Sequence, residues 1–292
     1  MTMPCDSLFS FPYAWLASLA VAIACSLLSP FVVFKRMAFI GEGVGHAGLG
    51  GIGLAYLAGI WLPRLAEPGL REVVLAVACI ATALLIGRLT AAQVESDAAI
   101  GVGLVVAMAV GIAGLDFYSY LRPAGYRPDV HDILFGEPLT VEWGLCAWAW
   151  AVALSTAVLV IVLYRHLVFY TFDEEGSLLF GAPVRAIRYV FLVAMALAIV
   201  AAIRVVGVVL VTALLVIPGL IGRAMARRFE ATLAWSLAGG TTGTMLGLLL
   251  FFGLGQFTSG PLVVLVLAVM LAAATAWQRL TSRLRQAAAA RR

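Results

Sequence analysis

Apolar runs of roughly 17–25 residues recur from one end of the chain to the other, which is the length an α-helix needs to cross a bilayer. They lack strict alternation, so helices are favoured over a β-barrel. Nine spans are expected: 13–34, 43–62, 73–89, 98–115, 143–163, 186–202, 205–221, 231–252 and 261–277. Eight or ten would also be compatible with the pattern. No room is left between them for a soluble domain, so residues 1–292 read as one all-α, polytopic transmembrane bundle.

Composition agrees with that reading. Of 292 residues, 63% are hydrophobic and 12% charged, far from the balance of a soluble domain. The net charge of +4 does not point to nucleic acid, because the positive residues fall between spans, where they set orientation. With the N-terminus outside, fourteen of the 19 Lys and Arg lie on inner connections and five on outer ones. That split predicts N-out and C-in. Cys5, Cys25, Cys79 and Cys146 are scattered and form no CxxC pair, so neither a disulfide framework nor a thiolate metal site is expected. No Lys or Arg precedes Lys35, so no cleavable signal peptide is expected.

Two connections are longer than a turn requires. The outer one, 116–142, holds Pro123, Pro128, Pro138 and the pair His131–Asp132; within it "DVHDILFGEPL" is expected to form a short interfacial helix that stops at Gly136. The inner one holds "TFDEEGSLLFGAP", 171–183. Thr171 and Glu174 have capping-box spacing, and Gly181 with Pro183 supplies a stop. A short cytoplasmic helix is expected here, either lying on the membrane surface or docking into a partner's groove. Further on, Arg204 interrupts an apolar stretch and Pro218 breaks its far end. Interrupted spans mark transport pathways; a plain interfacial turn is the other reading.

Candidate chemistry concentrates in "KRMAFIGEGVGHAGLGG", 35–51. Glu42 and His46 lie four residues apart, on one helix face and about 6 Å apart along the axis. Ionisable groups inside a span cost roughly 2.5–3.5 kcal/mol each, so they face a bundle interior, a cavity or a partner. A carboxylate oxygen and a neutral imidazole nitrogen can bind a divalent transition metal, and two ligands hold it loosely enough for passage. A surface cap, a structural hydrogen bond and a proton relay are the competing readings. Seven glycines between Gly41 and Gly53 suit close helix packing. "GVGHAG" matches a dinucleotide fingerprint only literally, since no strand precedes it. No GxxxxGK[ST], GxSxG or HExxH occurs, so neither a nucleotide site nor hydrolytic machinery is expected.

With these residues in view, the chain resembles the membrane permeases of metal-ion ABC importers, the zinc, manganese and iron uptake family. The resemblance rests on "SPFVVFKRMAFIGEGVGHAGLGG", on the run from Phe172 to Phe229, and on the weaker "DILFGEPL" and "SGPLVVLVLAV". It implies that Glu42 and His46 lie on the metal pathway. It also implies that Asp173, Glu174, Glu175, Leu178, Phe180 and Gly181 form a coupling helix docking on a separate ATPase, which binds the ATP. Two permease copies, two ATPases and an external metal-binding protein would work together in a bacterial inner membrane. The cargo would be zinc, manganese or iron, carried and not held as a stable cofactor. The chain departs from the family pattern at Glu42, usually Asp, at Gly48–Gly50, usually Leu-Pro, at Gly219–Ile221, usually small Ala residues, and around Gln256–Phe257, where an Asp is usual.

Overall fold

The computed structural model describes residues 11–62, 64, 67–91, 96–121, 134, 136, 140–173, 183–254 and 258–289. Among these, ten α-helices and no strand occur. They are α1 (Pro12–Phe34), α2 (Ala38–Ala58), α3 (Pro68–Ala91), α4 (Ser96–Leu121), α5 (Trp143–Val162), α6 (Tyr164–Phe172), α7 (Val184–Val206), α8 (Val208–Met225), α9 (Phe229–Leu254) and α10 (Ser259–Ala289). Each of the nine expected spans falls on one of them. Eight are long and apolar enough to cross a membrane by length and composition. The exception is α2, whose hydropathy is diluted by its glycines, Glu42 and His46; its 21 residues still reach about 31 Å.

Two helices form the interior. The apolar windows of α1 and α7 are each 72% buried, against 22% for α3 and α4. α1 packs on α5, α7, α8 and α9, and α10 closes against α8 and α9. A second group, α2 with α3 and α4, joins the first through α7 and α8. Glycine explains how the second group closes. A Cβ at Gly53 would run into the Gly111 backbone, and one at Gly50 would sit 3.0 Å from the Ala107 carbonyl oxygen. α2 and α4 therefore touch backbone to backbone, as small residues permit in membranes.

Two prolines sit inside helices, Pro30 in α1 and Pro218 in α8. A helical proline lacks the N–H that would bond the carbonyl four residues back. For Pro30 that carbonyl is Ser26, and it accepts instead from the Ser236 hydroxyl of α9 at 2.7 Å. Beside Pro218, the Gly219 N–H donates to Ser29 Oγ of α1 at 2.7 Å. Both helices run unbroken past their prolines, with the freed Ser26 carbonyl of α1 taken by a serine of α9 and α8 tied to α1 through Ser29.

The inner connection differs from expectation at its start. Residues 164–172 form α6, and Thr171 lies in its last turn with its hydroxyl donating to the Leu167 carbonyl at 2.7 Å. Thr171 is therefore no N-cap. The apolar positions of this short run anchor it: Phe172 meets Phe34 at 5.3 Å and Phe229 at 5.5 Å, and Phe31 meets Phe229 at 5.1 Å and Phe191 at 6.2 Å between ring centroids. Burial, then the nearby Glu230 carboxylate, pushes the Tyr164 hydroxyl pKa up.

Candidate functional site

The turn that leads into α2 is built by hydrogen bonds closing the end of α1. Arg36 N–H donates to Val33 O at 3.2 Å and Met37 N–H to Val32 O at 2.9 Å, with Arg36 left-handed at φ 59°. This is the Schellman pattern, with arginine where glycine usually sits. Lys35 Nζ donates to the Tyr170 carbonyl at 2.9 Å and lies 4.4 Å from the Tyr170 ring centre, tying the turn to α6.

α2 begins at Ala38, so Glu42 lies in its second turn and does not cap it. One turn on, His46 Nδ1 is 3.0 Å from the Glu42 backbone oxygen. A carbonyl only accepts, so Nδ1 carries the hydrogen of this bond. In the neutral ring that leaves the Nε2 lone pair for a ligand. Both residues are half-buried.

The glycines decide which way this face looks. Gly41 and Gly45 admit Leu215 and Val208 of α8, Gly48 and Gly51 admit Leu75 and Ala78 of α3, and Gly50 and Gly53 admit α4. By the helical period, Glu42 and His46 fall on the part of α2 between its α8-facing and α4-facing glycines, the side on which Phe39 is 61% exposed. Cys79 donates its thiol to Val44 O at 3.5 Å on another face of α2, so it is no third ligand. Among the described residues no three His, Cys, Asp or Glu converge. One chain offers a two-donor site. A neighbouring apolar cavity of about 160 Å³, lined by Gly43, Ala47, Ile86, Ile100, Leu104 and others, lies among α2, α3 and α4.

The remaining candidates are distributed elsewhere. Arg204, in the last turn of α7, pairs with Glu72 of α3 at 3.0 Å on the rim of a cavity of about 200 Å³ between α3, α5 and α7. Pro218 is buried between α1 and α9, next to Ser29 and Gly240. Asp173 is exposed and follows α6 directly. Glu174, Glu175, Leu178, Phe180 and Gly181, with the expected coupling helix, lie outside the described residues, as do His131 and Asp132. Gly136 is left-handed at φ 69° and abuts Val206 and Gly207. Sequence reasoning missed Gly207 itself. Its φ of 83° divides α7 from α8, and its only signal was a glycine between Val-Val pairs. Because Gly45 meets Val208 and Gly48 meets Ile203, this break sits at the depth of His46.

An all-helical bundle with an interrupted helix beside a half-buried carboxylate–imidazole pair points to a membrane transporter, and its sequence says which kind. Residues 10–278 match the ABC 3 transport family, and the chain belongs to it. It is a multi-pass permease subunit of an ABC transporter in the bacterial cytoplasmic membrane. It is 31% identical over 273 residues to the manganese transport system membrane protein MntC of Halalkalibacterium halodurans, covering 92% of this chain and 88% of that one. The probable iron transport system membrane protein of Haemophilus influenzae is 27% identical over 271 residues, covering 92% and 94%. In fold the chain is similar to PsaBC from Streptococcus pneumoniae in complex with Fab, with a TM-score of 0.78 and 22% identity over 94% of this chain and 98% of that one.

Proposed function

We propose that this permease carries a divalent transition metal, zinc or manganese and alternatively iron, inward by alternating access, with Glu42 and His46 as its transient ligands. One observation carries the reading: the Nδ1–H bond to the Glu42 carbonyl leaves Nε2 as the imidazole's donor atom, and four-residue spacing puts that imidazole on the same face of α2 as the Glu42 carboxylate. Nitrogen and oxygen donors together suit a transition metal. Two donors per chain make a weak site, and two copies meeting on this face would bring four. Weak coordination favours release as much as entry. The relatives named for manganese and iron transport support the cargo class.

In this account the N-terminus is outside and the C-terminus inside. An external binding protein delivers the metal, and a separate ATPase supplies the energy. The ATPase acts on the coupling segment at 171–183 through Asp173, Glu174, Glu175, Leu178, Phe180 and Gly181. Its described flanks suit that role. α6 precedes the segment, and its Phe172 and Tyr170 touch α1 and the turn before Glu42. α7 follows it and runs to the break at Gly207. Arg204 and Pro218 bracket that break and are assigned to gating: the first holds α7 to α3, the second weakens the ladder of α8.

The test is metal uptake into vesicles holding the permease, its ATPase and its binding protein, offered Zn²⁺, Mn²⁺ and Fe²⁺ in turn. Uptake of one of these ions is expected to require ATP and to ignore collapse of the proton gradient. Glu174→Ala/Phe180→Ala is expected to leave ATP hydrolysis in place while uptake falls within the roughly 5–150-fold range of a coupling free energy. Uptake driven by a proton gradient without ATP would mean a secondary carrier instead. Transport of a chelate alone, with the free ions excluded, would move the cargo to a chelated metal.

A further inference from the structure

A groove runs along the seam of α5 and α7. Ser155, Thr156, Leu159, Tyr189, Val193 and Leu197 line most of its volume of about 350 Å³. Its lining is mostly apolar, and Ser155 Oγ–H already donates to the Val152 carbonyl at 2.9 Å. The adjoining face of α5 is turned to the surroundings, with Leu154 and Val158 each 59% and Ile161 75% exposed. In a membrane-spanning helix that face meets acyl chains.

One end of the groove is basic. On α7, Arg185, Tyr189, Val193 and Leu197 follow one another at four-residue spacing, so Arg185 stands on the groove's own stripe, one turn beyond its end. On the other wall, α5 passes Leu159 and turns at Leu163 into α6, where Arg165 and His166 are exposed. The helices are antiparallel neighbours, so both arginines fall at the same end. The groove from Tyr189 to Leu197 is about 12 Å long. An apolar slot of that length, opening on a pair of guanidiniums at the level where a helix leaves the bilayer, has the shape and charge of a single amphiphile with an anionic head.

We propose that this seam is a binding site for an anionic phospholipid. The phosphate group sits between Arg165 and Arg185, and one acyl chain lies along Tyr189, Val193 and Leu197. Charge complementarity selects the occupant. A second copy of the chain would bring the same arginines to the same end and repel itself, and a zwitterionic lipid gains less from two guanidiniums. Because α5 and α7 flank α6 and the start of 171–183, an occupied seam would brace the coupling segment from the lipid side. The inference does not rest on the identity of the cargo.

The test uses the full chain in mixed micelles, with lipid retention read by native mass spectrometry and stability by the thermal unfolding midpoint. Phosphatidylglycerol is compared with phosphatidylcholine of the same acyl chains, and with inorganic phosphate. Phosphatidylglycerol is expected to be retained preferentially and to raise the midpoint, while inorganic phosphate does neither. Arg165→Gln and Arg185→Gln are each expected to weaken phosphatidylglycerol retention roughly fivefold, the worth of one cation near an anionic lipid. Val193→Trp, which fills the slot and leaves the charges, is expected to lower retention of both lipids. Equal retention of the two lipids by the unmodified chain would overturn the proposal without recourse to any variant. So would a phosphatidylglycerol preference that survives both the paired arginine change and Val193→Trp, or a stabilisation that inorganic phosphate reproduces.

Discussion

At Gly53 there is no space for a methyl group, because the Gly111 backbone of α4 occupies it. Gly101 of the same α4 has nothing within 4 Å of where a Cβ would stand. Gly53→Ala is therefore expected to lower the thermal unfolding midpoint, with an overpacking cost of about 1–3 kcal/mol. Gly101→Ala is expected to leave the midpoint unchanged or raise it, through a stabilisation of up to about 1 kcal/mol. Equal effects at the two positions would mean that α2 and α4 do not meet on glycine. At this scale the sequence was informative where the helical period decides geometry. Four-residue spacing placed Glu42 and His46 on one face, and the glycine run announced close packing. The direction of that face was not legible, because it depends on which neighbour each glycine admits. Nor was the Nδ1–H bond, since spacing alone does not choose between the backbone and side-chain oxygens of Glu42.

Elements were legible in proportion to their length and apolarity. All nine expected spans fall on helices, with ends shifted by a few residues; α4, for one, continues past Leu115 to Leu121. The short α6 was read as loop, because Arg165 and His166 interrupt it and its stabilising rings lie on α1, α7 and α9. The break between α7 and α8 was expected near Arg204, and the hinge proved to be Gly207, three residues on. Pro218 was expected to break the far end of its span, yet α8 runs on past it to Met225, tied there to α1 by a bond that no local signal announced. The acceptor for Gly219 N–H is Ser29, 190 positions away. Ser29→Ala removes that acceptor from a buried donor, which costs about 1–3 kcal/mol. The expected result is a lower unfolding midpoint with assembly on the ATPase retained. An unchanged midpoint would show that Gly219 finds its partner within α8.

Over the whole molecule, the chain arranges two helix groups about α7 and α8, and the candidate pathway opens between α8 and α4 on the surface of a single copy. A half-exposed carboxylate and imidazole inside a span are costly when faced with lipid. In the proposed account a second copy covering this face would remove that cost and double the ligand set, linking dimerisation to transport. Family membership follows from the sequence, over residues 10–278. The most direct measurement is ATP-driven metal uptake by the assembled transporter, wild type against Glu42→Ala/His46→Ala, with co-purification of the ATPase recorded for each. The account predicts that the double variant assembles and hydrolyses ATP while metal uptake drops to the level seen without ATP. Undiminished uptake by an assembled double variant would contradict it, and would return Glu42 and His46 to holding the helix bundle together.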